Sequence, residues 1–174
     1  MSEEILPVHA LGFFHICQDG LFYETIIFDY LDLDEYYYNL MEDEKIEEEL
    51  NKLASNMQYF LDKEKIIINN KISKPILYGI DICFRGSAQR PSIIFLITFY
   101  GKLKKGLNMY ENFYEKSIAP YDFESYWFFP PNSRIISVDV DGEYDVFGEK
   151  NILVIWVERG GKIRGYEKIE FVLK

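Results

Sequence analysis

Residues 76–101 constrain the fold more than any other stretch, because they contain two consecutive strand patterns of different kinds. Residues 76–84 alternate apolar with mixed side chains, which is the period of a strand that buries one face. Residues 92–100 are apolar at almost every position. A strand of this second kind needs cover on both faces, so we expect it to lie centrally in a sheet beneath a second layer.

Similar patterns recur along most of the chain. A turn at Asp19-Gly20 separates two alternating segments and predicts a hairpin. Residues 65–73 predict a shorter hairpin, and the aromatic-rich stretch 107–129 predicts a strand at each of its ends, 107–114 and 123–129. From residue 134 onwards, turn signals recur every eight to twelve residues. These patterns predict an antiparallel β-sandwich, or one strongly curved sheet, of about 9–11 strands.

Residues 36–62 have a helical period instead. An apolar stripe recurs at spacings of three and four from Ile46 to Leu61. An earlier apolar group, at 37–41, is out of phase with it across the acidic residues 42–44. We expect one long helix, kinked at 42–44, inserted after the first hairpin; a division into two helices there is the alternative. With 174 residues and no linker or repeat, the chain is predicted to be a single α+β domain, residues 1–174.

The net charge of the chain and its distribution limit the classes of molecule that it is expected to bind. The net charge of −10 should repel nucleic acid and anionic lipid, so neither is an expected partner. Residues 34–65 carry a net charge of −6 and residues 85–106 a net charge of +5. If both are exposed, the surface is self-complementary and suits a homo-oligomer or a charged protein partner.

The cellular location and the source of the protein are inferred from its apolar runs and its amino-acid composition. The apolar runs are too short to span a membrane, and the acidic N-terminus is unlike a secretory signal, so we expect a soluble, cytoplasmic protein. The abundance of Glu, Lys, Ile and Tyr with little Gln favours a thermophilic source, although an AT-rich genome gives a similar bias. Cys17 and Cys83 are expected to be buried free thiols, or to form a single bridge if the source is a hyperthermophile.

The usual catalytic signatures are missing from the sequence. It contains no P-loop, no glycine-rich dinucleotide loop, no nucleophile elbow and no HExxH motif. His15 and Cys17 could both reach one metal ion, but a zinc site needs three or four ligands. We therefore predict no catalytic residue, no metal ion and no cofactor.

Two sets of residues remain as candidates for binding. The first is the loop between the two strands at 76–101, where guanidinium groups could hold a small anion such as a phosphate or carboxylate; its members are Arg85, Ser87, Gln89 and Arg90. The alternative is an exposed loop that neutralises nearby acids.

The second set lies in the aromatic stretch, where tyrosines alternate with carboxylates. Such residues could bind a sugar-like ligand or a cation, perform acid–base chemistry or form a protein interface; the set is Tyr110, Glu111, Tyr114, Glu115 and Tyr121. The alternative is a strand that packs its aromatic side chains inward.

These observations favour a non-catalytic binding or interaction protein. The alternative is a small-molecule enzyme, a lyase, isomerase or hydrolase, with carboxylates in an aromatic pocket. That alternative expects Glu111 or Glu115 to line a cavity with a raised pKa.

Overall fold

A computed structural model describes residues 5–174 as an α+β fold made mostly of strands. The helices are α1 (Tyr36–Glu42) and α2 (Ile46–Leu61). The strands are β1 (Leu6–Ile16), β2 (Leu21–Leu31), β3 (Lys65–Ile68), β4 (Lys71–Ser73), β5 (Ile76–Phe84), β6 (Pro91–Tyr100), β7 (Gly106–Phe113), β8 (Ser117–Ile118), β9 (Asp122–Phe128), β10 (Ser133–Asp139), β11 (Glu143–Phe147), β12 (Ile152–Val157), β13 (Lys162–Ile163) and β14 (Tyr166–Leu173).

Seven strands form the larger sheet, in the order β11-β12-β9-β1-β2-β6-β5. Its first hairpin is the predicted one: Gly20 has a φ of 95°, and a Cβ there would lie 2.0 Å from the backbone oxygen of Gly101. The prediction of a purely antiparallel arrangement is wrong at one place, because β1 and β9 run parallel. Parallel neighbours need a long connection, and here more than one hundred residues separate the two strands.

A five-stranded sheet, in the order β10-β14-β7-β3-β4, packs on part of the larger one. Aromatic rings from both sheets meet between them: Tyr110 lies 5.0 Å from Trp127 and 6.3 Å from Phe22 between ring centroids. The two sheets therefore share one core, in a sandwich-like arrangement.

The number of strands is larger than the 9–11 predicted. Fourteen lie within residues 5–174, and two of them, β8 and β13, have only two residues each and pair with one another. Two residues cannot show a period, so no alternation in the sequence could indicate these strands.

The prediction of one long helix is wrong, because α1 and α2 are separate. Glu44 has a φ of 58° and is in the left-handed region that usually ends a helix. The Glu44 N–H donates to Met41 O, and the Lys45 N–H donates to Leu40 O. These are the two bonds of a Schellman motif, so α1 is properly terminated before α2 begins. Neither helix is long and apolar enough to cross a membrane within residues 5–174.

The smaller sheet and the two helices pack on the same face of the larger sheet. The inward residues of β6 are buried against α1 and α2 at one end and in the sandwich core at the other. On its outward face, Leu96 and Tyr100 are 44% and 59% exposed. The prediction that residues 92–100 are covered on both faces is therefore wrong, since the second sheet and the helices occupy one side only.

Both cysteines are free thiols, but the expectation that they are buried is wrong for Cys83, which is exposed, while Cys17 is partly buried.

Candidate functional site

A cavity of about 340 Å³ lies between the two sheets. Its wall on the larger sheet contains three small side chains, Ala10, Gly12 and Ser125. Gly12 is the direct neighbour of Ser125 on β9 and of Ile26 on β2, so the small residues lie together. The cavity exists because these inward positions supply too little side-chain volume to fill the space between the sheets. The volume is within the range of small-molecule sites.

Three glutamates bring carboxyl groups to this cavity from different parts of the chain. Glu24 is on β2, Glu64 lies between α2 and β3, and Glu167 is on β14. Glu24 is on the same face of its strand as Phe22 and is 8% exposed. The cavity wall thus contains two further carboxyl groups besides that of Glu24, one on the smaller sheet and one just before its strand β3.

Burial changes the proton affinity of all three groups. Desolvation raises the pKa of Glu24 well above its usual range, and the charges of Glu64 and Glu167 raise it further. Burial also raises the pKa of Glu64, against the effect of the hydrogen bond from Asn112. For Glu167, burial raises the pKa to about 7, in spite of the hydrogen bond from Tyr110.

Few hydrogen-bond donors serve these carboxyl groups. The Tyr110 hydroxyl donates to Glu167 Oε1 at 3.1 Å, and the Asn112 amide donates to Glu64 Oε2 at 3.0 Å. Within residues 5–174, no group donates a hydrogen bond to the side chain of Glu24. Asn112 is 7% exposed, and its Oδ1 atom is buried with no partner among the residues that the structure describes. The cavity therefore contains acceptors that lack donors.

Two other acidic residues border the cavity, but both have partners of their own. Asp141 accepts hydrogen bonds from the backbone N–H of Arg164 at 2.7 Å and from its Nε at 2.6 Å. Glu124 accepts a hydrogen bond from the Tyr126 hydroxyl at 3.0 Å. Neither adds to the unpaired acceptors of the cavity.

The tyrosines predicted from the aromatic stretch come together at this site. Tyr110 is fully buried in the wall, whereas Tyr114 and Tyr121 are partly buried and line the cavity. Burial raises the pKa of all three hydroxyl groups. The stretch 107–129 thus supplies part of an interior cavity as well as core.

The two glutamates predicted from the same stretch do not line the cavity. Glu111 accepts a hydrogen bond from the Tyr166 hydroxyl at 2.9 Å, and Glu115 is exposed. Along β7, residues 110 and 112 face the cavity, so Glu111 points to the opposite side of the sheet.

The loop 85–90 lies away from the cavity and has internal partners. Arg85 Nε donates to Ser92 Oγ at 2.8 Å and lies 3.1 Å from Asp29. The Gln89 side chain donates to the Leu33 carbonyl at 3.3 Å, and the Ser87 hydroxyl accepts from the Gln89 N–H at 3.2 Å. Arg90 is exposed. Three of the four predicted side chains thus have hydrogen bonds within the chain, and Arg85 neutralises an acid.

Glu24, Glu64, Asn112 and Glu167 were not predicted from the sequence. A signal for two of them existed. Glu24 and Glu167 occupy inward positions of their strands, in register with buried apolar residues such as Phe22 and Ile169. An acid at such a position is unusual, because a buried carboxylate costs free energy unless it is paired. Glu64 and Asn112 had no comparable signal.

No three His, Cys, Asp or Glu residues within the described part of the chain are arranged to hold a metal ion. Comparison of the sequence with models of known protein families and with curated proteins finds no match.

Proposed function

We propose that this chain is a non-catalytic binding protein that takes a small molecule into the cavity between its two sheets. The observation that carries the proposal is the buried Asn112 Oδ1 atom, which has no partner among residues 5–174, beside Glu24, whose side chain accepts no hydrogen bond from those residues, in a cavity of ligand size. Buried polar atoms in proteins almost always have hydrogen-bond partners. A ligand that donates to these atoms would supply the missing ones.

The surroundings support the same proposal. Apolar and aromatic side chains such as Phe28, Trp127 and Ile155 make up most of the wall, and a few polar groups converge on the interior. This is the usual composition of a small-molecule site, in which apolar area provides affinity and a few polar groups fix orientation.

Filling the cavity is expected to prevent binding. Ala10→Leu adds apolar volume on the cavity wall without removing a polar group, and we expect it to weaken ligand binding at least tenfold. Thr25→Leu is the matched control, since Thr25 pairs with Phe13 on the outward face of the larger sheet. Ligands retained from the expression host are identified by native mass spectrometry and then titrated by calorimetry. Equal affinity in Ala10→Leu and wild type would place binding elsewhere and contradict the proposal.

An enzyme is the second candidate, and the pKa of Glu167, about 7, favours it. A carboxyl group with a pKa near the working pH can both accept and donate a proton during a reaction. Incubating the identified ligand with catalytic amounts of protein separates the two candidates. Many turnovers per site, lost in Glu167→Gln, would establish the enzyme; a ligand unchanged in both mass and NMR spectrum supports the binding protein.

A further inference from the structure

We propose that the ligand of the cavity is a small organic cation, an amine or amidine on an apolar body, whose N–H groups donate to Glu24, Glu167 and Asn112. This inference rests on the proposed function and names the chemical class of its ligand.

The hydrogen-bonding inventory of the cavity calls for donors. No group within residues 5–174 donates a hydrogen bond to the side chain of Glu24, while Glu64 accepts one from Asn112 and Glu167 accepts from Tyr110 and Asn112. An ionised carboxyl group has about four acceptor sites. With Asn112 Oδ1 also unpartnered among the described residues, many acceptor sites at the three carboxyl groups receive no hydrogen bond from that part of the chain. A group with several N–H donors and no acceptor, such as ammonium, matches this imbalance.

The charges favour a cation in particular. Among residues 5–174, no Lys, Arg or His side chain lines the cavity, so that part of the chain offers Glu24, Glu64 and Glu167 no basic partner there. Buried carboxylates without a counter-charge repel one another and take up protons instead. A bound cation would neutralise them as ion pairs. An anion in the cavity would meet only like charge.

A neutral polyol fits less well than a cation. The hydroxyl groups of a sugar accept hydrogen bonds as well as donate them. Two buried donors at the site, the Tyr110 hydroxyl and the Asn112 amide, already donate to Glu167 and Glu64. A sugar would have to pair its own acceptors with the remaining hydroxyl groups of the wall, such as those of Tyr114 and Tyr121, and each acceptor left buried and unpaired would cost about 1–3 kcal/mol.

The walls and the volume define the rest of the ligand. Phe28, Tyr110 and Trp127 present aromatic surface, which attracts a cation as well as an apolar body. The cavity of about 340 Å³ has the volume of roughly eleven liquid water molecules, which suits a ligand of about a dozen non-hydrogen atoms.

Three probes with one apolar body test the inference: benzylamine, benzyl alcohol and benzoate, which are cationic, neutral and anionic at pH 7.5. Each is titrated into the full chain and followed by calorimetry and by amide chemical shifts. We expect benzylamine to bind at least tenfold more tightly than benzyl alcohol, and benzoate not to bind. Glu24→Gln should lower the benzylamine affinity at least tenfold and leave the benzyl alcohol affinity within twofold. Glu167→Gln is the second variant, and Glu143→Gln, at an exposed position on β11, is the matched control.

Each result has a definite meaning. Equal or tighter binding of benzyl alcohol, still blocked by Ala10→Leu, would overturn the cation and leave the cavity as a binding site. Binding of benzoate alone, or no binding of benzylamine, would also overturn the cation. Benzylamine binding that is unaffected by both Ala10→Leu and Glu24→Gln would refute the cavity site itself.

Discussion

Glu167→Gln is expected to stabilise the protein at pH 8 by about 3 kcal/mol relative to wild type, while the two proteins differ little at pH 5. The cause is the carboxyl group of Glu167, whose pKa is raised by burial from 4.5 to about 7. Glutamine has nearly the same shape, keeps an acceptor for the Tyr110 hydroxyl and does not ionise. It removes the charge that the folded state holds at a cost.

The direction of the pH dependence follows from proton binding. Between pH 4.5 and about 7, the folded protein binds more protons at Glu167 than the unfolded chain does. The free energy of unfolding of wild type therefore falls as the pH rises through this interval and is level above it. The raised pKa values of Glu24 and Glu64 act in the same direction.

Urea denaturation of wild type, Glu167→Gln and Glu143→Gln at pH 5, 6, 7 and 8 measures this effect. The control variant should follow wild type at every pH, because the Glu143 carboxyl group is exposed. A Glu167→Gln variant that is less stable than wild type at pH 8, or that retains the full pH slope, would show that Glu167 is not a destabilising buried acid.

This result would also bear on function. Buried ionisable groups that cost stability are characteristic of ligand-binding and catalytic sites. A variant that is more stable and yet binds the ligand less well would assign the carboxyl group to binding and not to the fold.

Trp127→Ala is expected to lower the free energy of unfolding by about 3–5 kcal/mol. Trp127 is 1% exposed and is the largest fully buried side chain in residues 5–174. Its ring stacks on Phe14 with a centroid distance of 3.8 Å and meets Tyr110 of the opposite sheet edge-on at 5.0 Å. Removing it takes away contacts to both sheets and enlarges the cavity.

Trp156→Ala is the matched control, because Trp156 is the only other tryptophan and faces outward on β12, where it is partly exposed. We expect this control to cost about 1 kcal/mol or less. Urea titrations followed by far-ultraviolet circular dichroism give both values. Similar losses for the two variants would contradict the central position of Trp127 in the shared core.

Several elements could be predicted from local sequence because their signals are local. The Asp19-Gly20 turn defines the β1–β2 hairpin, and simple alternation locates β5 and β6. The two strands expected at the ends of the aromatic stretch correspond to β7 and β9. The out-of-phase apolar groups on either side of residues 42–44 already indicated the interruption that the left-handed Glu44 produces.

The sequence by itself determined the longer strands, the apolar stripe of α2 and which side chains of a strand share a face, since those periods depend on neighbouring residues alone. Only the tertiary structure decided that β1 pairs with β9 in parallel. It also decided that the smaller sheet and the helices pack on the same face of the larger sheet. It also decided the site. Glu24, Glu64 and Glu167 are far apart in the chain and meet only where two sheets face each other across the small residues Ala10 and Gly12. No local sequence pattern indicates that these three carboxyl groups are close together, because their proximity depends on how separate strands pack.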